Sequence, residues 1–324
     1  MPQTVDVALV GATGYAGAEL LRLLIGHPAV TVSQCVSTSR AGQRIDAVHP
    51  GLAGFVDGCF VGVDDLDLEG VDVLFLATPH GAAGPWVERA DAADVPLVID
   101  LSADHRHAPG WVYGQAEWHR DLLPGAMRVA VPGCFATAIS LALAPFVAAG
   151  HFTGPVQIVA ATGSTGSGAT PKEGTHHPLR FVNLRAYKIL KHQHVPEISI
   201  FLAGLGPVGP LHFVPLSAPL DRGILATCFL RPDPVLELEA ARALLEEAYA
   251  EHPLVRVRDD SPELRHVRGT GLCDLSVHAD GEQLVVLAAL DNLGKGAAAQ
   301  ALQCLNLALG LPGELGLGAP PCLP

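Results

Sequence analysis

The feature that most constrains this chain is a short apolar run, residues 5–10 (VDVALV), that ends in glycine and passes at once into helical spacing. Gly11-Ala12-Thr13-Gly14-Tyr15-Ala16-Gly17 makes the connection, and Leu20, Leu21, Leu23 and Leu24 then recur at helical intervals. Gly11 permits a tight turn, Gly14 lets a pyrophosphate approach the backbone, and Gly17 lets helix and strand meet closely. The free N–H groups and the dipole at the helix start favour an anion. The spacing is GxxGxxG, not GxGxxG, and a plain strand–turn–helix has the same texture. Position and flanks nonetheless match the context a dinucleotide site requires. The next apolar run, 30–36, leads into Ser37-Thr38-Ser39-Arg40, with no acidic residue to hold the ribose 2′-OH of NAD. Hydroxyls and an arginine suit a 2′-phosphate, so NADP is the expected cofactor.

The same texture continues through runs at 71–77, 95–101 and 128–131, with an Ala-rich helical stretch before 95. Near-continuous apolar strands alternating with helices predict a parallel sheet covered on both faces. Beyond residue 134 the pattern changes. A helix is expected over 135–149, a strand over 156–161, and a Gly/Ser/Thr-rich loop over 162–175. Strands follow at 211–218, 223–230, 272–278 and 284–290, with one acidic helix at 235–250. The fold class is therefore α/β: a Rossmann-type parallel-sheet domain plus an α+β domain with a mainly antiparallel sheet. The boundaries expected are 1–134 for the first domain, completed by a C-terminal helix within 292–324, and 135–291 for the second. The 293–309 segment is too rich in small residues to stand alone, so it is expected to pack on the first domain.

With 324 residues and 49% hydrophobic composition the chain can bury two cores. A formal charge of −13 without any basic run makes nucleic acid and anionic membrane surfaces poor partners. The first residues lack a signal-peptide pattern, and no apolar run reaches membrane-spanning length. Seven widely spaced cysteines without a Cys-x-x-Cys motif argue for a reducing cytoplasm.

One cysteine stands apart. Pro132-Gly133-Cys134 turns the chain into a helix, and a helix N-terminus favours thiolate. Cys35, Cys59, Cys228, Cys273 and Cys304 lie in apolar runs and read as small buried hydrophobes. A nucleophilic thiolate needs a base. Lys191-His192-Gln193-His194-Val195-Pro196-Glu197 offers two imidazoles and a carboxylate, with His192 the favoured acid–base and Glu197 its orienting partner. His-x-His also suits a metal, with His176 and His177 as further ligands, but no third ligand shows clear spacing and no metal is assigned. The densest basic group, Arg180, Arg185, Lys188 and Lys191, neighbours these histidines, and Arg185 and Lys188 are candidate substrate contacts.

GATGYAG near the start, PGCFATA at the cysteine, GSTGSG at 163–168, HQHVPEI at 192–198 and DNLGKGAAAQA at 291–301 together resemble N-acetyl-gamma-glutamyl-phosphate reductase. That family belongs with the aspartate-semialdehyde dehydrogenases. The resemblance covers essentially the whole chain, with the motifs in order. It implies a catalytic and dimerisation role for the second domain, Cys134 as nucleophile and a histidine of the HQH segment as acid–base. Thr13, Gly14, Tyr15, Ser39 and Arg40 are implied to touch NADP, with Pro79 of the Ala77–Gly81 turn beside it. Asn292 and Lys295 are implied at the nicotinamide end, Ser164 and Gly166 are candidate cofactor contacts, and donors in their loop, 163–168, suit a phosphate. Arg106 in Ser102–Arg106 is carried over as an anion contact. Two positions depart from the common form: Val131 stands where asparagine precedes Pro-Gly-Cys, and Gln193 replaces the arginine of His-Arg-His.

The implied activity is NADPH-dependent reduction of N-acetyl-L-glutamyl 5-phosphate to the semialdehyde in arginine biosynthesis, by a homodimer or homotetramer. Its rivals are a reductase of a carrier-bound aminoadipyl phosphate, a metal-dependent enzyme using the histidine cluster, and a non-enzymatic NADP sensor. A small free substrate is favoured, since docking an acidic carrier would call for a basic rim that the scattered basic residues do not supply.

Overall fold

The computed structural model describes residues 4–151 and 154–322, and these divide into two units: 4–132 with 297–319, and 133–151 and 154–296 with 320–322. In the first unit β1 (Val5–Val10) pairs in parallel with both β2 (Val30–Val36) and β3 (Val73–Leu76). Beyond β3 lie β4 (Leu97–Asp100), β5 (Val112–Tyr113) and β6 (Arg128–Ala130), giving the order β2-β1-β3-β4-β6-β5. Every pairing is parallel. Strand order reverses at β1, which places the switch point beyond the carboxyl ends of β1 and β3, where this architecture holds ligands. Three helices belong to these crossovers: α1 (Tyr15–Ile25), the single turn α2 (Ile45–Val48) and α3 (Gly84–Ala92).

The second unit opens with α4 (Cys134–Ala148), buried along nearly its whole length. Pro145 cannot donate to the carbonyl of Leu141. The Tyr249 hydroxyl donates to that carbonyl instead, at 2.7 Å. The sheet has seven strands in the order β11-β12-β13-β10-β7-β9-β8. These are β7 (Val156–Thr162), β8 (Arg185–Ala186), β9 (Leu211–Ser217), β10 (Ile224–Leu230), β11 (Val255–Val257), β12 (Cys273–Asp280) and β13 (Gln283–Leu290). The pairs β7–β9 and β11–β12 run parallel and the other four are antiparallel, so the sheet is mixed.

Besides the single turn α5 (His177–Arg180), α6 (His194–Ala203) and α7 (Leu238–Tyr249) join α4 as a layer on one face of this sheet. Alternation along the strands shows it: Ile224, Ala226, Cys228 and Leu230 are buried, while Leu225, Thr227 and Phe229 on the other face stay half-exposed. A π-turn at Gly294–Ala298 then leads into α8 (Ala299–Ala308), which packs against α1 within the first unit, with Asn306 meeting His27 at 2.9 Å.

The three turn glycines answer to different constraints. Gly11 has φ +87°, and a Cβ there would lie 2.4 Å from the carbonyl oxygen of Ala77. A Cβ on Gly17 would lie 2.3 Å from the carbonyl oxygen of Gly11. Gly14 is at ordinary φ, and its Cβ would meet only the Gly11 oxygen at 3.6 Å. The expected outcome follows. Gly17→Ala overpacks the strand–helix contact and lowers stability by about 1–3 kcal/mol, whereas Gly14→Ala melts like the wild type and weakens nucleotide binding. Thermal unfolding together with NADPH titration checks both.

Candidate active site

The nucleotide side lies in the first unit, around the turn after β1. His49, following α2, meets the carbonyl oxygen of Ala12 through Nε2 at 2.9 Å and so braces the turn from behind. Ser37 is buried at the end of β2; its hydroxyl accepts the Arg40 backbone N–H at 3.2 Å and lies 3.4 Å from the Thr13 hydroxyl. Thr38, Ser39 and Arg40 are exposed, and the Arg40 guanidinium donates to Gln43 at 3.4 Å. Tyr15 opens α1 and is 43% exposed. Just after β3 the Thr78 hydroxyl is buried with no hydrogen-bond partner among the described residues, next to the exposed Pro79. The Thr78 hydroxyl and the space at Gly14 fit a nicotinamide dinucleotide.

Asp104 accepts the N–H groups of Gly81 and Ala83 at 2.6 and 3.0 Å, holding the turn that leads into α3. Arg106 is buried, with Nε donating to the carbonyl of Val131 at 3.0 Å and Nη2 to that of Leu101 at 3.4 Å. Its fork thus holds the ends of β4 and β6 together.

The second unit carries the thiol. Cys134 is the first residue of α4, half-buried, with Gly133 as the N-cap. Glu197 on α6 accepts the Gly133 backbone N–H at 2.9 Å. The ring of His194 lies against Gly133 so closely that a Cβ there would fall 2.3 Å from Nε2. On another side, a Cβ on Gly296 would fall 2.8 Å from the Cβ of Cys134. Only glycine admits these approaches, and both fix the surroundings of the thiol.

His192 and His194 have ring centroids 4.7 Å apart, and both pack edge-on to Phe135. His192 accepts the backbone N–H of His194 through Nδ1 at 3.2 Å. Burial first, and Lys188 second, push its imidazole down to about 4. His192 is therefore neutral at physiological pH.

Asn292 is buried and clamps the Gly/Ser/Thr loop. Its Oδ1 accepts the Gly223 N–H at 2.7 Å and its Nδ2 donates to Thr165 at 3.0 Å. Ser164 sits in the same 3₁₀ turn, where its backbone N–H donates to Leu220 at 2.8 Å, while Gly166 is exposed. Lys295 is completely buried. Arg185 and Lys188 are exposed; Arg185 donates to the Gly174 carbonyl at 3.3 Å and Lys188 to Gln193 at 2.6 Å. Sequence reasoning passed over His49 and Tyr187, and left Arg180 among its basic neighbours.

One further expectation is corrected. Cys59 was expected to be buried but is exposed, since its run is a bridge-and-turn segment, not a core strand. Cys35 and Cys228 are buried hydrophobes, burial raising both thiols to about 12. Among the described residues, no three His, Cys, Asp or Glu side chains converge as a metal cluster, and His177 stacks on Phe181. Nor, among them, is any helix long and apolar enough to cross a membrane.

Residues 6–126 match the family model described as semialdehyde dehydrogenase, NAD binding domain, and residues 134–292 match semialdehyde dehydrogenase, dimerisation domain. The fold agrees. Aspartate semialdehyde dehydrogenase II of Vibrio cholerae superposes with TM-score 0.78 at 16% identity, covering 94% of this chain and 98% of that one. The Candida albicans aspartate semialdehyde dehydrogenase, solved with NADP, superposes with TM-score 0.69 at 15% identity, covering 94% and 100%. Together these define a nicotinamide-nucleotide-binding semialdehyde dehydrogenase.

Full-length relatives narrow the class. N-acetyl-gamma-glutamyl-phosphate reductase of Acidothermus cellulolyticus is 41% identical, covering 96% of this chain and 97% of its own. The enzymes of that name from Methanosarcina barkeri (38%; 99% and 100% covered) and Bacteroides fragilis (37%; 98% and 99%) align equally fully. The chain belongs to the N-acetyl-gamma-glutamyl-phosphate reductase family.

The depressed imidazole has a consequence for acid stability. Between pH 6.5 and about 4 the unfolded chain binds a proton at His192 that the folded chain refuses. Stability contributed by the neutral ring is full above that window and is lost as pH falls through it, by about 2–3 kcal/mol. His192→Gln is expected to flatten the stability–pH curve there. Urea unfolding at pH 7 and pH 4.5 measures the difference.

Proposed function

We propose that this chain reduces N-acetyl-L-glutamyl 5-phosphate to N-acetyl-L-glutamate 5-semialdehyde and phosphate in arginine biosynthesis, using NADPH and a thioester on Cys134. The observation that carries this reading is the setting of Cys134: first residue of a buried helix, half-exposed, with an imidazole seated against the preceding glycine. The names of the full-length relatives support the substrate.

His194 takes the thiol proton, and the Cys134 sulfur attacks the acyl carbonyl. The carbon–oxygen bond to the phosphoryl group breaks, inorganic phosphate leaves, and a thioester remains. N–H groups in the first turn of α4 have no partner within the helix and serve as donors to the developing oxyanion. NADPH, when bound, supplies the hydride that reduces the thioester carbonyl. His194 moves a proton to and from that oxygen as the tetrahedral species forms and its carbon–sulfur bond breaks.

The acid–base role is thus assigned to His194 instead of His192. His192, pushed down to about 4 and accepting the His194 N–H, supports the turn that presents its neighbour. Glu197 positions α6 against the thiol by holding Gly133. Asn292 keeps the 163–168 loop in place, and the donors of that loop suit the phosphate.

The exposed trio Thr38, Ser39 and Arg40 supports NADP over NAD. A homodimer or higher homo-oligomer is supported by the open face of the seven-stranded sheet. A solvated face would be polar, yet Val159, Val214, Leu216, Leu225, Phe229, Val285 and Leu287 lie there, half-exposed or more. The matched model for this region is described as a dimerisation domain. Seven free thiols fit a reducing cytoplasm.

Phosphate-dependent reduction of NADP⁺ by N-acetylglutamate semialdehyde tests the reading. Wild type turns over, Cys134→Ser does not while still binding NADPH, and His194→Asn loses about 100-fold or more. Arg40→Ala weakens NADPH far more than NADH. Near-normal turnover in Cys134→Ser, or equal losses of both cofactors in Arg40→Ala, contradicts the corresponding assignment.

A further inference from the structure

Arg180 is the most buried cation of the basic group beside the histidines, and no carboxylate among the described residues pairs with it. It ends α5, is 9% exposed, and spans the ends of two sheet strands. One amino group donates to the hydroxyl of Ser217, the last residue of β9; the other reaches the carbonyl of Thr162, the last residue of β7, at 3.5 Å. Among the described residues neither its Nε nor the Thr162 hydroxyl, both buried, has a hydrogen-bond partner. Burial, and then the neighbouring Arg185, make its charge harder to keep, but a guanidinium stays protonated at neutral pH. A buried cation held by two neutral acceptors and left with an unused donor is expensive unless an anion completes it.

The position relates to the chemistry. Arg180, Arg185 and the Cys134 sulfur all act electrostatically on the half-buried phenol of Tyr187, whose ring lies 5.8 Å from that of His192. The guanidinium therefore stands within reach of the thiol's surroundings, inside the second unit. Arg185 and Lys188, by contrast, are exposed and engaged with Gly174 and Gln193.

We infer that Arg180 binds the carboxylate of the acyl substrate and is a specificity-determining residue for substrates that carry one. Of the two anionic groups on an acyl phosphate with a free carboxylate, the phosphate departs in the first step. The carboxylate stays through both, and a rigidly buried fork matches its planar geometry. A substrate without that carboxylate leaves the guanidinium buried and unpaired, so it is rejected. This inference rests on the acyl-phosphate reductase reading proposed above.

The reverse reaction separates the possibilities, because semialdehyde and inorganic phosphate are then different substrates. The probes are N-acetylglutamate semialdehyde, its α-methyl ester, and phosphate, each titrated against wild type, Arg180→Lys and Arg180→Gln. For Arg180→Gln the expected result is a KM for the semialdehyde raised about 30-fold, with kcat and the KM for phosphate within about threefold of wild type. The preference for acid over ester collapses, and Arg180→Lys recovers part of it. Protection of Cys134 from iodoacetamide by N-acetylglutamate, a readout independent of turnover, weakens in parallel.

A raised KM for phosphate with an unchanged KM for the semialdehyde overturns the assignment, placing the phosphate at Arg180. So does a wild-type enzyme that uses acid and ester equally well, a result that needs no variant should Arg180→Gln fail to fold. If wild type reduces no NADP⁺ with the semialdehyde and phosphate, the function reading itself fails and the carboxylate site fails with it. Turnover with an unaltered acid preference in Arg180→Gln removes the carboxylate site alone.

Discussion

The approach of α6 onto the first residue pair of α4 is the constraint on which the reactive site depends. Gly133 has no side chain, so the His194 ring can lie against it, and the Glu197 carboxylate holds its N–H at 2.9 Å. That N–H precedes the helix and would otherwise point into a buried region with no partner, a loss of about 1–3 kcal/mol. The contact thus stabilises the helix start and positions the imidazole at once. Gly296 does the same from the π-turn, where any larger residue would push against Cys134. A thiol at a helix N-terminus is common chemistry; here two glycines set what may stand beside it.

The same economy governs the nucleotide side. Gly11 and Gly17 are required by the chain's own backbone, whereas Gly14 meets nothing closer than 3.6 Å. Its smallness is not required by the chain's own backbone, which agrees with the nucleotide site proposed above, as does the Thr78 hydroxyl at the end of the adjacent strand. Both lie at the strand-order reversal, where a parallel sheet leaves its loops diverging and its helix N-termini open.

The strongly periodic parts of this fold were legible in the sequence. Residues 5–25 read as strand, glycine turn and helix because apolar spacing and glycine placement agree there. Cys134 stood out because Pro132-Gly133 stops one element and a helical stretch follows. The two-residue strands β5 and β8 were not legible, since their pairing partners define them and no local pattern does. The mixed character of the second sheet was hidden as well, because the parallel β7–β9 pair depends on a long excursion through 163–210. Which histidine lies against Gly133 is a question of packing: His192 and His194 are equivalent in spacing, and only the fold brings the His194 ring to that glycine. Arg180 looked like its basic neighbours until burial separated it from Arg185 and Lys188. Cys59 erred the other way, an apolar local run that bends out to solvent.

The central claim is that catalysis runs through an acyl group on Cys134. Intact-protein mass spectrometry after mixing the enzyme with N-acetylglutamyl phosphate in the absence of NADPH tests it most directly. The account predicts one added N-acetylglutamyl mass per chain, mapped by peptide digestion to Cys134 and discharged when NADPH is added. Absence of the adduct in an enzyme that turns over with NADPH, or its location on another residue, would contradict the account.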